Sequence, residues 1–361
     1  MSTQQTYLFY ISILAVGTIL IQKAFQIKRG IILRWLTTYH YKTNLSVGIF
    51  LMFSFLVVFI PLASRNCGTD TAGYYWSYAH NRQVGNDLLF YYLSLLLHAI
   101  IPSPKIGLGI ISGISLLIVY YAFIELKKDV NVSLCFIAYF FSLYFYLYNY
   151  VRMMLAVSFV IFGYSMLIKG KRTKAVISFT IAAGIHFASI IVLMVYMGIM
   201  IIPKHRRILV TLIGGTTLLF LMNPRFFLSL ITYERYREQI NLEALKDVRI
   251  GMGTTIKILP IFVIQMIYLK RFKKEFQYNI MFVSTFVNYA FSILGYFVGV
   301  ASRLSNMYFV LHLLFLIPWI DQHISSKAEK RWIRGIFCFY LVFLYFLMSF
   351  NFKRMGIVPY H

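Results

Sequence analysis

Residues 174–202 read KAVISFTIAAGIHFASIIVLMVYMGIMII. As one helix, at about 1.5 Å per residue, this run would outreach the ~30 Å hydrocarbon core of a bilayer. It carries no charge after Lys174, so it does not read as a surface helix. Gly184-Ile-His186 interrupts it, and two short helices meeting at a turn satisfy both length and composition. A non-helical turn at membrane depth is tolerated only where protein or a water-filled cavity surrounds it. The stretch predicts an all-α, polytopic membrane bundle with a histidine at a broken crossing.

Composition closes the other route. Of 361 residues, 60% are hydrophobic, 18% aromatic and only 13% charged, with a mean hydropathy of +0.73. A soluble fold of this length cannot enclose so much apolar surface. Apolar runs lie at 7–22, 45–63, 106–124, 131–149, 153–168, 174–202, 208–222, 255–269, 278–300, 305–320 and 333–350. Residues 88–101 are apolar but short, and precede Pro102 and Pro104, which suggests a re-entrant or interfacial helix. The first basic residue, Lys23, follows the first apolar run, which therefore reads as a spanning helix and not as a cleavable signal.

Charge gives the expected orientation. The chain carries 35 Lys and Arg against 11 Asp and Glu, a net +24. If 88–101 does not span and 174–202 crosses twice, 22 of the 35 basic residues fall in short loops on one side. That side is expected to be the cytoplasm, with about 12 spans and both termini outside. Clusters between apolar runs record topology, not binding of nucleic acid; an anionic lipid diphosphate remains a compatible partner. Residues 1–361 read as a single integral membrane domain. Its sizeable loop, 223–254, mixes Arg225, Glu234, Arg235 and Glu238 with Phe226, Tyr233 and Tyr236, as an amphipathic helix on the outer surface would.

The chemistry-bearing residues lie at outer helix ends. Arg65-Asn-Cys-Gly68-Thr-Asp70-Thr-Ala-Gly-Tyr74-Tyr-Trp76 offers a planar cation suited to phosphate, an acid, and an aromatic platform for sugar. A snorkelling arginine, a capping aspartate and an aromatic belt are the plain alternative. Asn149, Arg152 and Ala156 would share one face of a continuous helix, and Arg152 near hydrocarbon calls for a cavity or partner. An ordinary helix-end arginine is its alternative. His186, with Ser189 close after it, is a candidate base or donor, although a lone histidine is more often structural. Arg303 opens the helix 304–320, with Asn306 and Tyr308 near it. Three arginines converging would hold a diphosphate.

No D-x-D, H-E-x-x-H, P-loop or G-x-S-x-G motif appears, and Cys67, Cys135 and Cys338 are far apart. No metal or cofactor is expected, so a substrate would have to bring its own activated leaving group.

In order, Arg65-x-x-Gly68-Thr69-Asp70-x-x-x-Tyr74, Asn149-x-x-Arg152-x-x-x-Ala156, His186-x-x-Ser189, Arg303 with Tyr308, and Pro359-Tyr360 resemble the EpsG-like family of Wzy-type polysaccharide polymerases. The pattern covers most of the chain; Met153 stands where many relatives carry glutamine. The resemblance implies a metal-independent glycosyltransferase of GT-C-like architecture in the bacterial inner membrane, making O-antigen, capsule or exopolysaccharide. It would move a growing glycan from undecaprenyl pyrophosphate to the non-reducing end of a new lipid-linked unit on the outer face. A flippase and a chain-length regulator are the partners it implies. On that reading Arg152 and Arg303 hold the diphosphate, Arg65 diphosphate or sugar, and Asp70 or His186 handles the acceptor hydroxyl. Tyr74, Asn149 and Tyr308 would line the substrate. A flippase of lipid-linked oligosaccharide and an O-antigen-type ligase are the competing readings.

Overall fold

The computed structural model describes residues 2–26, 39–83, 87–201, 206–223, 252–353 and 355–358. Among them every regular element is helical: α1 Thr3–Gln26, α2 Tyr39–Ser64, α3 Thr71–Ala79, α4 Leu88–Ile100, α5 Pro104–Glu125, α6 Val132–Ser142, α7 Val151–Ile168, α8 Arg172–Ile185, α9 Ser189–Ile201, α10 Arg206–Met222, α11 Met252–Phe272, α12 Phe276–Leu294, α13 Gly299–Arg303, α14 Leu311–His323 and α15 Lys327–Phe352. Six helices among the described residues are long and apolar enough to cross a membrane, and four shorter apolar ones accompany them. The chain is a polytopic helical membrane protein. Most of the 223–254 loop, and Pro359-Tyr360, lie outside the described residues.

The chain folds as two compact units, Met1–Phe162 with Gly184–His186 and Ile317–His361, and Gly163–Ala183 with Phe187–Leu316. In the first, α1, α2, α5 and α6 pack on one another, and α15 adds to α6. No hydrophobic effect drives helices together in lipid, so close approach and hydroxyl bonds do that work. A Cβ on Gly113 would lie 2.8 Å from the Phe59 ring, and one on Gly17 3.3 Å from Val58. Ser54 Oγ donates to the Gly17 carbonyl at 3.1 Å and pairs with Tyr120 Oη at 2.9 Å, tying α1, α2 and α5.

One ion pair joins three elements of this unit. Asp321, buried in α14, takes Arg334 Nε at 2.6 Å and Nη2 at 2.9 Å. Its second oxygen also accepts Asn131 Nδ2 at 2.7 Å, joining α6, α14 and α15. Ser326 caps α15 by accepting the Glu329 N–H, the S-x-x-E pattern of a capping box.

In the second unit Tyr164 Oη pairs with Ser284 Oγ at 3.1 Å, and the Phe179 and Tyr196 rings stack at 5.0 Å.

Three expectations change. The 131–149 run is not one helix: α6 stops at Ser142, and Tyr144–Tyr148 form a 3₁₀ turn. Helix α7 starts only at Val151, so Asn149 precedes it and shares no helical face with Arg152. Arg303 does not open a regular helix but ends the short α13, followed by a π-turn at Leu304–Tyr308 closed by the Phe309 N–H on the Leu304 carbonyl at 3.0 Å. The 174–202 run does divide: α8 ends at Ile185, and His186 to Ala188 make the turn into α9.

Candidate functional site

The site begins with a turn that only glycine permits. Gly68 has φ +106°, and a Cβ there would lie 2.5 Å from the Tyr148 carbonyl oxygen. The close approach sets the 68–71 turn against the end of the 3₁₀ turn at Tyr148 and Asn149. Asn149, which caps the 3₁₀ turn, accepts the Asp70 N–H at 2.8 Å and the Thr69 hydroxyl at 3.1 Å through Oδ1. On the other side the Gly68 N–H donates to the Gly356 carbonyl at 2.8 Å, and the Thr69 N–H to Met355 at 3.0 Å.

Asp70 stands at the N-cap of α3 but makes no side-chain cap bond, and is exposed. Its carboxylate is thus not spent on capping. One turn on, Tyr74 is half-buried beside Arg152. Burial raises the phenol's pKa; the Arg152 guanidinium and backbone N–H lower it, while Asp70 and Asp87 raise it. Tyr74 is therefore the electrostatic link between the α3 turn and the first turn of α7.

Arg152 does not project alone. Its Nη1 meets Asp87 Oδ2 at 2.6 Å, with the carboxylate only 5% exposed and the arginine 12%. His186 reaches the same oxygen with Nδ1 at 3.3 Å. Three separate elements supply these groups: the foot of α4, the first turn of α7 and the turn after α8. Gly184 brings the histidine turn in, since a Cβ there would overlap Leu89 of α4 at 2.4 Å.

Asp87 has no place in the motif reading, because its partners are distant in sequence. The available signal is scarcity: the chain has 11 acids, and this one sits directly before the apolar 88–101 run.

Arg65 is turned inward. It is 3% exposed, donates to the Leu62 carbonyl at the end of α2 and to Ser112 Oγ at 3.4 Å, and lies 6.0 Å from the Tyr148 ring. A cation at a helix C-terminus complements the carbonyl dipoles there. Burial lowers its pKa, with Tyr148 and other neighbours opposing.

In the second unit Arg303 is exposed at the start of the π-turn, and Tyr308 is buried at its end. Between them Ser305 donates to Asn288 Oδ1 at 2.6 Å and meets Ser292, and Asn306 Nδ2 donates to Ser302 at 3.3 Å. The structure thus sets Arg152 and His186 on Asp87, ties Asn149 to the Asp70 turn with Tyr74 between the two groups, and sets Arg303 and Tyr308 together on a second framework. Among the described residues no group of three or more His, Cys, Asp or Glu could hold a metal ion.

A cation held beside an imidazole, with a second acid exposed nearby, is equipped to take an anionic leaving group and move a proton. A comparison with protein families finds a match to the EpsG family over residues 47–361. No curated protein and no solved structure matches the chain.

Proposed function

The chain belongs to the EpsG family, a Wzy-like family of polysaccharide polymerases, and we propose that it joins lipid-linked oligosaccharide repeat units into polymer at the outer face of a bacterial inner membrane. The growing glycan leaves undecaprenyl pyrophosphate and passes to the non-reducing end of an incoming unit, without metal or nucleotide.

One observation carries this reading: Arg152, held within the protein at 2.6 Å from Asp87, beside His186. A diphosphate-linked sugar is already activated, and its departure develops negative charge. A preplaced guanidinium stabilises that charge in the transition state and need not reorganise to do so. Arg303, exposed in the second unit, is by itself a further candidate cation for a diphosphate. Asp70 or His186 takes the acceptor proton. Tyr74 borders the sugar, while Asn149 holds the Asp70 turn. Arg65 supports α2 from within.

Deleting the gene, sizing surface polysaccharide and extracting lipid-linked intermediates tests the reading. Single repeat units that reach the surface while long chains vanish support polymerisation. Units that accumulate on the inner side favour a flippase. Long free polymer that fails to reach its final acceptor favours a ligase.

A further inference from the structure

Three consecutive backbone N–H groups of the turn that carries Asp70 are each claimed by an oxygen of the protein. Gly68 donates to the Gly356 carbonyl at 2.8 Å, Thr69 to the Met355 carbonyl at 3.0 Å and Asp70 to Asn149 Oδ1 at 2.8 Å. Such a run of N–H groups, left open, makes a concavity for anions. Filled as it is, the turn is no phosphate cradle, and what it presents is the exposed Asp70 carboxylate. Two of the three acceptors belong to Met355 and Gly356, in the segment after α15.

That segment is itself held. The Ile357 N–H returns to the Phe352 carbonyl at 3.1 Å and the Gly356 N–H to that of Lys353 at 3.0 Å, which folds the chain back over the end of α15. Tyr10 Oη of α1 donates to the Ile357 carbonyl at 2.6 Å. The Tyr10 ring lies against Phe145 and Tyr148 of the 3₁₀ turn, with centroids 5.0 and 5.5 Å away. Phe352 and Ile357 are fully buried. Gly356 sets the fit: its φ is +66°, a conformation in which a Cβ is strained, and that Cβ would stand 3.1 Å from Thr69 N and 3.2 Å from Thr69 Cγ2. A side chain there displaces Thr69, whose Oγ1 lies 3.4 Å from Asp70 Oδ1, so the shift is felt at the carboxylate.

We propose that residues 355–358 are part of the site: they clasp the 68–70 turn and so set the place at which Asp70 meets the acceptor hydroxyl, with Gly356 as a positioning residue. This rests on the polymerase reading above. Asp70 is the N-cap of the nine-residue α3 but makes no side-chain cap bond, so the backbone of the turn is what aims it. Asn149 holds that backbone from one side and the segment after α15 from the other.

The test uses full-length protein in lipid nanodiscs with a synthetic undecaprenyl-diphosphate oligosaccharide, following kcat, KM and melting temperature, together with hydrogen exchange of the 66–71 stretch. Gly356→Ala is compared with Gly170→Ala, which takes on a similar φ of +73° but whose Cβ meets nothing within 4 Å. Gly356→Ala is expected to speed exchange at Gly68 and Thr69. It also lowers kcat about tenfold with KM little changed, since a misplacement of about 1 Å costs roughly 100-fold. Gly170→Ala keeps wild-type exchange in that stretch and wild-type kcat, whatever it loses in melting temperature. In an Asp70→Asn background the Gly356 change takes little further rate, as two changes acting through one group do. Wild-type exchange or kcat in Gly356→Ala overturns the proposal, as do equal losses of rate in the two glycine variants or a full tenfold further loss in Asp70→Asn. If Gly356→Ala fails to accumulate, Tyr10→Phe decides. It keeps the ring, removes the hydroxyl bond to the Ile357 carbonyl and shifts exchange and kcat in the same direction; wild-type values there overturn the proposal. A wild-type protein that makes no polymer sinks the polymerase reading, whereas unchanged exchange in Gly356→Ala removes the clasp and leaves that reading standing.

Discussion

Asn149 Oδ1 accepts the backbone N–H of Asp70 at 2.8 Å, so the side chain of one candidate residue fixes the backbone of another. The same oxygen holds the Thr69 hydroxyl, and Asn149 is 1% exposed. Replacing it with alanine strands a part-buried N–H, at a cost of about 1–3 kcal/mol. Asn149→Ala is expected to lower the detergent-solubilised melting temperature, while Asn149→Asp, which keeps an acceptor oxygen, loses less. Equal losses in a fluorescence melt would show that the oxygen does not hold the turn.

Gly68 makes a sharper case. Alanine there takes on a φ of +106°, worth about 1–3 kcal/mol of strain, and its Cβ meets the Tyr148 carbonyl at 2.5 Å. That atom is backbone and cannot swing away. Gly68→Ala is expected to be less stable than Asn149→Ala and to yield no long polymer. A Gly73→Ala control, where a Cβ meets nothing within 4 Å, should melt as wild type does. Wild-type stability of Gly68→Ala would mean that the turn relaxes at little cost.

How much of this was legible in the sequence depended on whether the signal was local. The break at His186 was, because a run too long for one crossing with a glycine at its centre admits few solutions. The 3₁₀ turn at Tyr144–Tyr148 was not: YFYLY is as apolar as any helix, and hydropathy does not distinguish a tightened turn from an α-helical one. Asp87 was hidden for a different reason. Its partners lie 65 and 99 positions away, and a lone sequence holds no record of which distant residue meets a buried acid. Arg65 looked like a ligand because its residue type suits phosphate, while the direction of its guanidinium depended on where α5 would place Ser112.

The Asp321 cluster predicts an asymmetry. Arg334 is 46% exposed along its side chain, whereas Asp321 is 1% exposed. Removing the arginine leaves a buried carboxylate with Asn131 as its remaining bonded partner, at about 3–5 kcal/mol. Removing the acid leaves an arginine that turns to water, at about 1 kcal/mol. Arg334→Ala should therefore be far less stable than Asp321→Asn, and the double change Arg334→Met with Asp321→Leu should regain most of the loss. Unfolding of the three variants in nanodiscs checks the order; equal stability of the two single variants would contradict it.

Arg152 and Arg303 should fail in different ways. Arg152→Ala leaves Asp87 buried and deprived of its arginine, so instability of about 3–5 kcal/mol accompanies any lost activity. Arg152→Lys keeps a charge near Asp87 but loses the planar fork, and should fold better while making less polymer than wild type. Arg303 is exposed and begins a π-turn whose hydroxyl bonds belong to its neighbours. Arg303→Ala should accumulate normally and melt within about 0.5 kcal/mol of wild type. A charge-assisted bond to diphosphate is worth about 1.5–3 kcal/mol, so its polymer yield per unit protein should fall roughly 10- to 100-fold. Gel sizing of surface polysaccharide, normalised to membrane protein, separates the cases. Full-length polymer at normal yield from Arg303→Ala would show that this arginine does not hold a diphosphate.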